Sequence, residues 1–154
     1  DFMLFGPAYK GIPLAAATAA ALAEHHDRHV PFAFNRKEIK DHGEGGQIVG
    51  AEIAGRVVII DDVVTAGTAV GEAIEIIESA GAQPAALTIA LDREEKTSEN
   101  GPSAVQDIRD RLGLTVHAIA RFSELIEYLR NTPDLSNQVS ALEAYRDRYG
   151  MLGE

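Results

Sequence analysis

The chain has no cysteine and no tryptophan. Without cysteine there is no disulfide, no thiolate metal ligand and no cysteine nucleophile, so stability must come from a packed core and catalysis from oxygen and nitrogen groups. The same absence fits a reducing compartment, and a cytoplasmic location is expected. Positive charge is scarce: 14 Lys plus Arg stand against 24 Asp plus Glu, a net charge of −10 over 154 residues. Duplex nucleic acid and anionic membrane surfaces draw proteins in through surplus Lys and Arg, so neither is expected as a partner. Long apolar runs are missing too. The nearest to one, from Ile12 to Leu22, is alanine-rich, contains Pro13 and Thr18 and stops before Glu24, well short of the ~20 residues of a membrane span. No basic stretch or small-residue cleavage pattern precedes it, so no signal peptide is expected.

Apolar residues make up 45% of the chain and charged residues 25%, proportions that suit one ordinary domain with a proper core. We therefore expect a single domain over residues 1–154. Its pattern alternates. Apolar and β-branched runs predict strands over residues 2–5, 30–34, 57–60, 85–91 and 114–119. Helical spacing predicts helices over 13–27, 70–80, 103–112, 124–130 and 134–149, with Gly81 as the stop of the second. On that second helix Ala73, Ile74, Ile77 and Ala80 share the apolar face, and on the last Val139, Leu142, Tyr145 and Tyr149 do. Val57-Val58-Ile59-Ile60 is continuously apolar, as in a strand covered on both faces. Strands alternating with helices indicate an α/β domain with a central, mostly parallel sheet flanked by helices.

The most informative stretch follows that strand. Asp61 and Asp62 stand at its carboxyl end, where ligands bind in open α/β sheets. Val63, Val64, Thr65, Ala66, Gly67, Thr68 and Ala69 then lead into a helix. Small side chains at such a turn let a phosphate reach backbone N–H groups at the helix's positive end. Carboxylates for hydroxyls and a cradle for one phosphate, side by side, suit a sugar phosphate. The plainer alternative is a strand-end acid pair that merely caps the helix. An acid pair that binds metal in the phosphatase manner is disfavoured, because those sites want Asp-x-Asp spacing or scattered acids.

Residues 35–47 hold Arg36, Lys37, Lys40 and His42 among Glu38, Asp41 and Glu44, with Gly43, Gly45 and Gly46 and no apolar period. From composition alone this is a solvated mobile loop. Beside a phosphate cradle it reads instead as a lid whose cations close over a polyanion. Tyr9 and Lys10 sit in a tight loop bracketed by Gly6, Pro7 and Gly11, which favours an ordered turn, and a strained or cis peptide is expected near Ala8-Tyr9. Arg93, between Asp92 and Glu94 after another strand, is on its own merits a salt-bridged loop residue. His25 and His26, at a helix end, are expected on the surface.

Residues 59–68, Ile-Ile-Asp-Asp-Val-Val-Thr-Ala-Gly-Thr, resemble the phosphoribosyl diphosphate (PRPP) motif of type I phosphoribosyltransferases. Residues 5–13 and 34–46 resemble the corresponding segments of the orotate branch of that family, and the likeness extends over nearly the whole chain. The resemblance implies transfer of ribose 5-phosphate from PRPP to orotate, giving orotidine 5′-phosphate and diphosphate, with Mg²⁺ carried mainly on substrate oxygens. It also implies a homodimer whose lid crosses to the neighbouring site. Carried onto this sequence, PRPP falls to Tyr9, Lys10, Arg36, Lys37, Lys40, His42, Asp61, Asp62 and residues 63–69, with Lys40, His42 and the two aspartates as the catalytic group. Orotate falls to Thr65 and Arg93. No protein residue is implied as a sure direct metal ligand, Asp61 and Asp62 reaching the ion through water at most. The family carries an N-terminal segment that caps the site, and this chain is expected to lack it. A phosphoribosyltransferase for another base and a nonenzymatic nucleotide sensor are the competing readings. The Arg36-Lys37-x-x-Lys40-x-His42 spacing opposes the first, and retention of the lid cations opposes the second.

Overall fold

The computed structural model describes residues 1–37, 47–65, 67–99, 101–132 and 137–150. It divides into two compact units, Asp1–Asp62 with Thr68–Thr88, and Val63–Gly67 with Ile89–Glu154. At the heart of the first, β1 (Met3–Gly6) is buried at every position. Such a short strand can be fully apolar because it is flanked on both edges: β2 (Phe32–Asn35) and β4 (Arg56–Asp61) both run parallel to it. Leu4 lies opposite Phe32 and Val58, and Phe5 opposite Ala33 and Ile59. One face is covered by α1 (Gly11–His26), whose Ala15 packs with Leu4 and Ile60, with Leu14, Ala19 and Leu22 around them. Alanine dominates this helix because it carries the best helical propensity and lets the helix lie close to the strands. Pro13 is tolerated because a first-turn N–H has no partner within the helix. The chain leaves α1 through Asp27 in the left-handed region. Helix α2 (Thr68–Ser79) turns Val70, Ala73 and Ile77 inward.

The strand order is β3-β2-β1-β4-β5-β6, a six-stranded, mostly parallel sheet flanked by helices. Strand β5 (Gln83–Asp92) belongs to the first unit up to Thr88 and to the second beyond it. In the second unit α3 (Ala104–Leu112) starts at Ser103, whose side chain accepts the Gln106 N–H, and ends at Gly113 with φ 65°. Strand β6 (Thr115–Arg121) leads directly into α4 (Phe122–Arg130). Phe122 and Ile126 of α4 pack against Val139 of α5 (Val139–Tyr149).

Several expectations shift. Strand β3 (Ile48–Gly50), antiparallel to β2, was not expected at all: three residues carry no legible period, and only pairing to β2 defines them. The long loop is accordingly narrower at its base, where Arg36 N–H donates to the Gln47 carbonyl at 2.7 Å. Ala80 is exposed and lies beyond α2, while Val70, one turn before Ala73, takes the buried position instead. Tyr145 and Tyr149 are 37% and 43% exposed, so of the expected apolar side of α5 only Val139 is buried. Within the expected helix over 134–149, residues 134–136 lie outside the described residues. His25 and His26 are exposed at the end of α1, as expected.

Candidate functional site

Because β1, β2 and β4 are parallel, their carboxyl ends fall on one edge of the first unit's sheet. Gly6 ends β1, Asn35 ends β2 and Asp61 ends β4. From that edge residues 7–10 form a turn, with Gly11 N–H donating to the Pro7 carbonyl at 3.0 Å. Only glycine fits at its two ends, since a Cβ on Gly6 would sit 2.2 Å from the Gly11 carbonyl oxygen and one on Gly11 2.7 Å from that of Ile60. The Ala8–Tyr9 peptide is cis, as expected. A residue the sequence reading passed over holds this turn. Asn35, 6% exposed, accepts the Ala8 N–H on its Oδ1 at 2.8 Å. A polar residue ending an apolar strand is the only signal that could have drawn attention to it.

Tyr9 is 66% exposed and Lys37 Nζ lies 5.5 Å from its ring centre, a cation–π arrangement. Lys10 Nζ donates to Asp62 Oδ2 at 2.6 Å, joining the turn after β1 to the end of β4. Asp61 accepts the Asp62 backbone N–H at 2.9 Å. Arg36 and Lys37 continue from β2. Lys40 and His42 lie outside the described residues, as does Ala66.

Burial raises the Asp61 carboxyl above its ordinary range, and the neighbouring Asp62 charge adds to this against the opposing Asp62 N–H and Lys10. The folded chain thus holds this proton to higher pH than the unfolded chain does. Stability contributed by the protonated form is present at low pH and is lost as pH rises from the ordinary carboxylate range through the raised folded value. Asp61→Asn keeps an acceptor for the Asp62 N–H and removes the buried charge. We expect its Tm to exceed the parent's at pH 7 and the difference to shrink as pH falls through the carboxylate range; a pH-independent difference, or a lower Tm at pH 7, contradicts this account.

In the second unit, Val64 of the short segment after Asp62 is buried and Thr65 exposed. Gly67 adopts φ +73°, where a Cβ would also lie 2.9 Å from an Arg111 terminal nitrogen. The chain then passes into α2, with Thr68 and Ala69 in its first turn, whose N–H groups have no carbonyl partner within the helix. At the end of β5, Arg93 Nη2 donates to Glu95 Oε2 at 2.7 Å. Glu94, at φ 53°, accepts the Ser123 N–H and hydroxyl at 2.7 and 2.9 Å. The sequence points to Arg93 here, but neither to Ser123 nor to the contact by which Tyr145 of α5 also meets Glu95.

Among the described residues no group of three or more histidines or acids is arranged to hold a metal, and no helix is long and apolar enough to cross a membrane.

Residues 1–110 match the family model of the phosphoribosyl transferase domain. An orotate phosphoribosyltransferase of Thioalkalivibrio sulfidiphilus is 56% identical over 149 residues, which cover 97% of this chain and 70% of that protein. One of Methylococcus capsulatus is 58% identical over 96% of this chain and 68% of its own. Among solved structures, an orotate phosphoribosyltransferase of Francisella tularensis superposes with a TM-score of 0.79 at 36% identity, covering 97% of this chain and 70% of that one.

Proposed function

The chain belongs to the phosphoribosyl transferase family and, within it, to the orotate phosphoribosyltransferases, and from that membership we propose how its residues divide the work. The reaction transfers ribose 5-phosphate from PRPP to orotate, releasing diphosphate and orotidine 5′-phosphate for pyrimidine synthesis. Asp61 and Asp62 hold the ribose hydroxyls. The N–H groups and hydroxyls of residues 64–69 hold the 5-phosphate. Tyr9, Lys10, Arg36 and Lys37 receive the diphosphate, and Lys40 and His42 close over it. Thr65 and Arg93 face orotate, the arginine's planar fork matching a carboxylate.

As the bond from C1 to the diphosphate oxygen breaks, the ribose ring gains positive charge and the leaving group negative charge. Groups aimed at those developing charges stabilise the transition state more than the ground state. The carboxylates of Asp61 and Asp62 face the first, and the cations of the turn and lid face the second. Lys10 already holds Asp62 at 2.6 Å, which keeps the two opposite charges in place before either meets substrate. Closure of the lid excludes water, the competing nucleophile.

Two adjacent carboxylates, one half-buried, suit Mg²⁺, which commonly takes one or two carboxylates and completes its shell with waters and substrate phosphates. Asp61 and Asp62 would hold it through water, and once bound it would neutralise diphosphate charge. A homodimer that shares lids, and a cytoplasmic setting, complete the proposal.

The identity to orotate phosphoribosyltransferases over 97% of the chain carries this reading. Its test is the fall in orotate absorbance with PRPP and Mg²⁺ present. Turnover is expected, stopping when EDTA is added and returning with excess Mg²⁺. No turnover with orotate, or equal turnover with uracil or a purine base, overturns it.

A further inference from the structure

Arg93 is held unusually firmly for a loop arginine. Its Nη2 meets Glu95 Oε2 at 2.7 Å, with 31% of the arginine side chain and 18% of the glutamate side chain exposed. The other Glu95 oxygen, Oε1, accepts the hydroxyl of Tyr145 from α5. The Tyr145 ring in turn packs between Phe122 and Tyr149, with ring centres 5.7 and 4.8 Å away. The backbone around Arg93 is fixed as well: Asp92 Oδ1 accepts the Glu94 N–H at 2.9 Å, Glu94 is clamped by Ser123, and the Lys96 N–H donates to the Tyr149 carbonyl at 2.9 Å. One buried side-chain donor, Arg93 Nε, is without a hydrogen-bond partner among the described residues. A buried donor without a partner is costly, and an incoming carboxylate oxygen is the acceptor that removes that cost.

We propose that Glu95 and Tyr145 are positioning residues for orotate: Tyr145 orients Glu95, Glu95 fixes the Arg93 guanidinium through Nη2, and Nε is thereby kept for the carboxylate of the base. The inference rests on the reading of Arg93 as the orotate partner. It gives the C-terminal helix a part in base recognition without touching the base. The hydrogen bond to Glu95 also raises the Tyr145 hydroxyl above its ordinary range.

The test compares Arg93→Ala, Glu95→Ala, Glu95→Gln, Tyr145→Phe and the double variant Arg93→Ala/Glu95→Ala, each checked for an unchanged unfolding temperature. We expect Glu95→Ala to raise KM for orotate about tenfold, the loss that goes with one charge-assisted hydrogen bond. Tyr145→Phe should raise it less, and Glu95→Gln should recover part of the loss. KM for PRPP should stay within about twofold throughout, and the double variant should be no worse than Arg93→Ala alone. If Arg93→Ala raises KM for orotate while Glu95→Ala and Tyr145→Phe do not, the positioning inference fails and the base-site reading stands. Equal changes in KM for both substrates, or a double variant showing the sum of both losses, also overturn it. An Arg93→Ala enzyme with unchanged KM for orotate overturns the base-site reading and this inference together.

Discussion

Lys40→Ala is expected to lower kcat by about 10²-fold or more, the ordinary loss when a charge aimed at a developing oxyanion is removed. The chain carries a net charge of −10, so its overall field repels a substrate as anionic as PRPP. Binding and departure of diphosphate are therefore proposed to depend on a few local cations, on backbone N–H groups and on Mg²⁺. Lys10, Arg36 and Lys37 flank the end of the sheet, and Lys40 is the lid cation proposed to meet the leaving group. A transition-state contact is lost from kcat and kcat/KM together, whereas lost ground-state binding appears in KM alone. Steady-state kinetics at saturating orotate, compared with Lys37→Ala as a neighbouring charge control, make the distinction. A Lys40→Ala kcat within about threefold of the parent shows that the lid lysine does not stabilise the leaving group.

Phe5→Ala is expected to destabilise the fold by about 3–5 kcal/mol, the usual range for emptying a core phenylalanine site. Phe5 is 0% exposed, in the central position of β1, with Ala33 on one side strand and Ile59 on the other. Parallel neighbours on both sides give the site little room to collapse onto the space left. Total stabilities of about 5–15 kcal/mol are typical of single domains, so about a fifth or more of the margin disappears. Urea unfolding followed by circular dichroism measures it, and a loss under about 1 kcal/mol shows that the core closes around the missing ring. The same strand ends at Gly6 and leads into the turn bearing Lys10, so catalysis should fall before the protein unfolds globally.

Much of this protein was legible along the chain. Val57-Val58-Ile59-Ile60 announced a doubly covered strand, and β4 contains all four. Ser103 marked the start of α3, where its side chain caps the helix within a single turn. Asp61, Asp62, Thr65, Gly67 and Thr68 were noticed because a strand end, a small-residue turn and a helix start are consecutive in sequence. Less visible were Asn35 seating the Ala8 N–H across 27 residues, and Tyr145 reaching Glu95 across 50. Strand β3 was invisible for a related reason, since its three residues are a strand only by virtue of β2 beside them.

The division follows from the range of the forces involved. Covalent order, local propensity and the period of apolar residues determined the α/β alternation, the acidic end of β4 and the small-residue turn into α2, because each is settled within a few residues. Tertiary structure decided that Lys10 meets Asp62, that Asn35 is buried under the turn carrying Tyr9, and that Arg93 shares Glu95 with the C-terminal helix. Those pairings join chain segments whose separation carries no periodic trace. They exist because parallel strands bring their carboxyl ends to one edge, and because a buried polar group must find its partner wherever the packing provides one.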